Sequence, residues 1–130
     1  RISKKVELNL FGVEEDQEMI VALFNPALFS WVLENLIRNA VDAMEGVGVI
    51  NVVVSQSGDD VVIDIEDSGK GISRSDMRDV FSPGFTTKNR GWGLGLSLVK
   101  RIVEDYHGGR ITLLKSEVGV GTTFRIKLSA

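Results

Sequence analysis

Three stretches of this chain carry residue types that ordinary packing does not ask for. In "GWGLGLSLVKRI", Gly91, Gly93 and Gly95 stand on alternate positions at the mouth of a helical pattern. Glycine there costs backbone entropy and weakens the helix start. A bound anion would offset that cost, because helix-start amides lack intrahelical partners and sit at the positive end of the dipole. The stretch is not a P-loop, since no Gly-Lys-Ser/Thr follows. Nor is it a dinucleotide fingerprint: the spacing is Gly-x-Gly-x-Gly, and a polar loop precedes it rather than a strand. That loop holds Lys88 and Arg90, two cations suited to the same anion.

The second stretch, "ENLIRNAVDAM", places Asn35 and Asn39 four apart and Asp42 three further on, so the three share one helical face. Asparagine is a poor interior helix residue because its amide competes for backbone hydrogen bonds. Either these residues form a polar outer edge, or they supply carbonyl oxygens to a hard cation. Magnesium takes oxygen ligands, keeps several waters and is usually completed by substrate phosphates.

The third, "VVIDIEDSGKG", alternates so that Val61, Ile63, Ile65 and Asp67 share a face, opposite Val62, Asp64 and Glu66. Asp67 therefore points with the core residues, which is costly unless it meets a donor. It either closes a turn around Ser68 and Gly69 or accepts from an exocyclic amine. Adenine offers that donor at its six position, where guanine has an acceptor. Gly69 and Gly71 would let the backbone lie close to a flat base. In "GVGTTF" the same alternation aims Thr122 inward with Phe124, Ile126 and Leu128. Its hydroxyl either serves Asp67 or the base, or is satisfied within the core.

The elements that must position these groups follow from periodicity. "KVELNLFG" alternates as a half-buried strand, "EEDQE" is a charged turn, and "MIVALF" suits a second short strand. A helix runs from Pro26, capped by Asn25, to about Met44, with Phe29, Leu33, Leu36, Ala40 and Met44 as its stripe. Two β-branched strands then join at Ser57-Gly58-Asp59-Asp60. "SRSDMRDVF" is a short helix, and Ser82 to Trp92 is a loop long enough to act as a lid. Leu94, Leu98, Ile102 and Tyr106 mark a second long helix stopped by "HGG". "RITLLKS" and "TTFRIKL" close as a hairpin. The order, strand–helix–strand–strand–helix–helix–strand–strand, predicts a two-layer α/β sandwich with helices on one face of a mixed sheet.

The 130 residues suit one domain, and 43% apolar with 25% charged residues is ordinary for a globular chain. A net charge of −3 argues against nucleic acid or an anionic membrane as partner. The absence of cysteine rules out disulfides and zinc-thiolate sites. No apolar run approaches a membrane span. The chain opens on Arg1 rather than Met, the expectation being a piece of a longer protein.

Taken in order, these groups resemble the catalytic ATP-binding domain of sensor histidine kinases, within the superfamily shared with DNA gyrase, heat-shock chaperones and mismatch-repair ATPases. "ENLIRNAVDAM" is similar to the N box, "DSGKGI" to the first glycine box and "FSPGFTTK" to the phenylalanine box. "GWGLGLSLVKRI" is similar to the second glycine box and "GVGTTF" to the last. The resemblance runs from Pro26 onward. It implies a Bergerat-type fold, three helices over a mixed sheet, holding ATP and Mg²⁺ under a lid across residues 1–130. Asn39 and Asn35 would then bind the metal, and Asp67 with Gly69, Gly71 and Ile72 the adenine, supported by Thr122. Thr87 and Lys88 would reach over from the lid, and Gly91, Gly93, Leu94, Gly95 and Leu96 would hold phosphates.

Hydrolysing members of that superfamily carry a glutamate one turn before the metal-binding asparagine; here the position is Asn35, which cannot take a proton at neutral pH. Glu34, next door, points about 100° away around the helix. The resemblance thus implies γ-phosphoryl transfer to a histidine on a separate dimerisation domain, with the catalytic acceptor and its acid/base partner upstream of Arg1. It further implies a homodimeric parent, a response regulator downstream and a cytoplasmic location, the parent being free or anchored in the inner membrane. The lone His107 precedes Gly108 rather than an acidic residue, so it reads as structural. The chain departs from the family in three ways: Asp42 stands where many members are basic, the lid is short as in nitrogen-regulation-type kinases, and the last strand lacks its usual proline. An anti-sigma-type serine kinase or self-contained ATPase would want glutamate at 35. A non-catalytic nucleotide-binding module is the remaining alternative.

Overall fold

A computed structural model of the chain describes residues 6–11, 26–83 and 95–129. Among the described residues five strands form one sheet: β1 (Val6–Phe11), β2 (Gly48–Ser57), β3 (Asp60–Asp67), β4 (Arg110–Glu117) and β5 (Gly121–Ser129). Their spatial order is β1-β2-β3-β5-β4. β1 runs parallel to β2, and every other pair is antiparallel, which makes the sheet mixed. The register carries one face across the strands: Val52 pairs with Ile65, Ile65 with Phe124, and Phe124 with Leu113.

The helices cover that face. In α1 (Pro26–Ala43), Phe29, Val32, Leu36 and Ala40 recur at three- and four-residue steps and are buried, followed by Met44 just past the last turn. Burying each large side chain of this kind stabilises the fold by about 1.5–3 kcal/mol. Val32 stands at the centre of the stripe, with Leu33 half-buried beside it, a shift of one residue from the expected pattern. The helix stops when Glu45 turns left-handed (φ 56°) and the Gly46 amide donates back to the Val41 carbonyl at 3.0 Å.

The second helical stripe differs from the sequence expectation. α2 (Arg74–Met77) is a single turn capped by the Ser73 side chain. α3 (Gly95–Arg101) runs straight into a π-helical turn, Ile102–Tyr106. The buried residues are Val99, Ile102 and Val103, whereas Leu98 is 39% and Tyr106 67% exposed. A strict step of four drifts about 40° per step around an α-helix, so with Val99, Ile102 and Val103 at the centre of the buried stripe Leu98 falls on its flank, and Tyr106, at the end of the π turn, is exposed. His107 follows this turn; its Nδ1 lies 2.8 Å from the Ile102 carbonyl and its ring meets Phe29 edge-on.

The other sheet face is polar, with a bidentate Arg125–Asp64 pair (2.8 Å each) and an Asn51–Glu66 hydrogen bond (3.0 Å). Among the described residues no helix is long and apolar enough to cross a membrane. The expected strand "MIVALF" and the Asn25 cap lie outside the described residues, as do 84–92 of the expected lid.

Candidate functional site

α1 places the first polar group. Asn35 is half-buried on the flank of the apolar stripe, while Glu34 is exposed. The Asn35 Nδ2 donates to the Trp31 carbonyl one turn back (2.8 Å), and this fixes the direction of the amide. Its Oδ1 lies 3.8 Å from where a side chain on Gly95 would begin, at the first residue of α3. Two motifs sixty residues apart in the chain thus face each other, with an amide oxygen looking at a helix start. Asn39 follows one turn later, also half-buried.

The second polar group sits two turns further along α1. Asn35 and Ala43 are roughly 12 Å apart along the axis. At Ala43 the loop after β3 is fastened: the Lys70 amide donates to the Ala43 carbonyl at 3.0 Å, and a Cβ on Gly69 would fall 2.8 Å from that of Ala43. α1 therefore links two groups of candidate site residues, Asn35 with Gly95 on one side and Asp67 with its loop on the other.

Asp67 is only 8% exposed and points with the core, as the alternation predicts. Its Oδ1 accepts from the Gly69 amide at 2.8 Å, the turn geometry weighed from sequence. Burial pushes the Asp67 carboxyl above the usual carboxylate range; main-chain hydrogen bonds from Gly69 and Thr122 pull the other way, and the charge of Glu66 adds to the rise. A carboxylate has acceptor room for about four bonds, so Asp67 keeps capacity for an amine. The turn and the amine-reading role are compatible.

The two glycines of "DSGKG" approach the protein's own backbone. Gly69 presses on the end of α1. Gly71 has φ 76°, and a Cβ there would overlap the Glu117 carbonyl. The turn between β4 and β5 is clasped to this loop, the Gly119 amide donating to the Lys70 carbonyl at 2.8 Å. Gly71→Ala should therefore cost about 1–2 kcal/mol from the left-handed backbone alone, and more from displacement of the turn. A thermal melt followed by circular dichroism should show Tm down by at least about 5 °C; a drop under 1 °C would contradict the close approach.

Thr122 pairs with Asp67 in the sheet and is 5% exposed. Opposite it, on β4, stands Ser116, which belongs to none of the sequence motifs. Its Oγ accepts from the Ile72 amide (2.8 Å), shares a hydrogen bond with Thr122 Oγ1 (2.7 Å) and donates to the Gly121 carbonyl (3.3 Å). A β-bulge between Leu113 and Lys115 puts Ser116 there. Without it, the alternation of Ile111 and Leu113 would aim Lys115 inward. A charged residue landing on the core phase of a strand was the available signal.

Ile72 and Leu96 pack against the core, one at each end of the site. A cleft of about 560 Å³ is lined by Asp67, Ser116 and Thr122 together with Asn51, Glu66, Lys115 and Thr123 of the opposite sheet face. Thr87, Lys88, Gly91, Gly93 and Leu94 lie outside the described residues. Among the described residues, no group of three or more His, Cys, Asp or Glu side chains is placed to hold a metal. Side-chain amide oxygens completed by a ligand's phosphates remain a chemically suitable donor set for a hard cation.

Residues 25–130 match the family model described as histidine kinase-, DNA gyrase B-, and HSP90-like ATPase. The chain is 46% identical over 104 residues to sensor histidine kinase ZraS of Escherichia coli, which covers 80% of this chain and 22% of that protein. It is 38% identical over 116 residues to nitrogen regulation protein NtrY of Azorhizobium caulinodans, covering 84% and 15% respectively. The chain thus spans about a quarter or less of these relatives. The nucleotide-free catalytic domain of histidine kinase ThkA superposes with a TM-score of 0.81 at 30% identity, covering 95% of this chain and 78% of that one. Sheet order, the face that carries the helices and the family match agree, and the chain belongs to the histidine kinase-, DNA gyrase B- and HSP90-like ATPase family.

Proposed function

We propose that this chain is the catalytic domain of a sensor histidine kinase, which binds ATP with Mg²⁺ and presents the γ-phosphoryl group to a histidine on a separate dimerisation domain. The parent is then a homodimer that passes the phosphoryl group to a response regulator, and this domain works in the cytoplasm, where ATP is supplied. Asn35 and Asn39 would hold the metal, whose charge offsets that of the phosphates during transfer. The helix start at Gly95 and Leu96 would take phosphate, with Gly91, Gly93, Leu94, Thr87 and Lys88 contributing from the segment before it. Asp67 would accept from the adenine amine, with Gly69, Gly71, Ile72 and Thr122 enclosing the base.

The observation that carries this reading is the state of Asn35. One turn before Asn39 stands an amide whose nitrogen is committed to the Trp31 carbonyl, and Glu34 is exposed. The position one turn before Asn39 therefore offers no base to activate water, and a site that holds ATP without hydrolysing it suits a kinase waiting for a protein nucleophile. A serine kinase or free-standing ATPase would need that base. The test is incubation with γ-labelled Mg-ATP, with and without the parent's dimerisation domain. Label should pass to the histidine of that domain, with little ADP formed in its absence. Rapid ADP release by the chain alone would overturn the reading.

A further inference from the structure

Resting on the adenine-binding reading above, we infer that Ser116 is a specificity-determining positioning residue: it orients the Thr122 hydroxyl so that the base end of the site presents acceptors, selecting a 6-amino purine over a 6-oxo purine.

Hydrogen-bond counting carries the inference. A serine hydroxyl has one proton and two lone pairs. Ser116 Oγ makes three contacts. The Ile72 amide can only donate to it (2.8 Å), and the Gly121 carbonyl can only accept from it (3.3 Å). Its proton is thus assigned to Gly121, and the 2.7 Å contact with Thr122 Oγ1 must take its proton from Thr122. That is the one arrangement in which all three contacts hold together. Thr122 then has no proton left for a ligand, and its oxygen is left as an acceptor beside its sheet partner, the acceptor Asp67. An exocyclic amine has two N–H donors to offer such a pair. A 6-oxo group would set a third acceptor against them, with the donor on N1 shifted along the ring edge.

The bulge in β4 is what brings this about. It turns Ser116 to the inner face opposite Thr122, and the same hydroxyl fastens Ile72 of the adjoining loop. Residues on three separated segments are tied to one proton direction, and the selectivity of Thr122 is set from a residue that does not touch the base.

The experiment compares the affinities of ATP and inosine triphosphate in the presence of Mg²⁺. The two nucleotides differ only at the six position and N1. Wild type should prefer ATP, and Ser116→Ala, which frees the Thr122 proton, should lower the ATP-to-ITP affinity ratio by about tenfold or more. Ser116→Thr, which keeps the hydroxyl, should restore the ratio. Equal losses for both nucleotides would mark Ser116 as merely structural and overturn the inference, as would an unchanged ratio. If Ser116→Ala does not fold, Thr122→Val carries the test: it removes the oriented acceptor, and the same fall is expected, with an unchanged ratio again overturning it. The underlying reading is checked separately by wild type, where failure to bind ATP would bring down both, whereas ATP binding that depends on Asp67 but not on Ser116 would bring down this inference alone.

Discussion

Asn39→Ala should remove the Mg²⁺-dependent part of nucleotide binding and leave the fold intact. Alanine is the best helix former, so the change favours α1 by a few tenths of a kcal/mol. What it deletes is an amide oxygen one turn from Asn35, on the flank that looks toward the start of α3. A hard cation completed by phosphates and water draws few ligands from protein, so each counts heavily. We expect the magnesium-dependent gain in ATP affinity to fall by about two decades, at the upper end of what disturbing the shell around a metal costs. Affinity measured in chelator should change little. Wild-type magnesium dependence in the variant would show that the metal lies elsewhere.

The second large effect is expected at Asp67. In Asp67→Asn the Oδ1 atom can keep the 2.8 Å bond from the Gly69 amide, which leaves an NH₂ group facing the base. Donor then opposes donor at the adenine amine, a loss of about 3 kcal/mol, or roughly a hundredfold in Kd. A 6-oxo purine gains the same NH₂ as a partner, so GTP binding should suffer far less. Equal losses for ATP and GTP would remove Asp67 from base recognition.

The same substitution has a pH signature. Burial raises the Asp67 carboxyl above its ordinary value of 3.8 in the folded chain, so the folded state holds the proton more tightly than the unfolded one. That contribution to stability is fully present below 3.8 and is lost as pH rises through the folded value. Above the folded value wild type carries an ionised, desolvated group that Asn avoids. The variant should melt no lower than wild type at pH 7, and its advantage should shrink on acidification. A variant clearly less stable at pH 7 would mean that the carboxylate holds the fold together.

Side-chain placement is legible in the sequence where periodicity is local. The alternation Val61–Ile63–Ile65–Asp67 placed a carboxylate on the core face, and the structure has it there. The four-residue step from Asn35 to Asn39 put both on one flank of α1. Elsewhere local pattern was overruled by tertiary context. Leu98 and Tyr106 look like members of an apolar stripe, but Val99, Ile102 and Val103 take the buried positions, and nothing in a string of single residues announces the π turn that ends at Tyr106. Plain alternation hides Ser116 because a bulge shifts the phase of β4 by one, and the charge of Lys115 on the core phase is the only local sign of it. The facing of Asn35 and Gly95 was also beyond local reading, since it depends on how α1 and α3 cross.

The most direct test is a calorimetric titration of this chain with ATP and with GTP, each with and without Mg²⁺. The expected result is binding that Mg²⁺ strengthens and that favours ATP over GTP. Failure to bind either nucleotide, or binding indifferent to both base and metal, would contradict it.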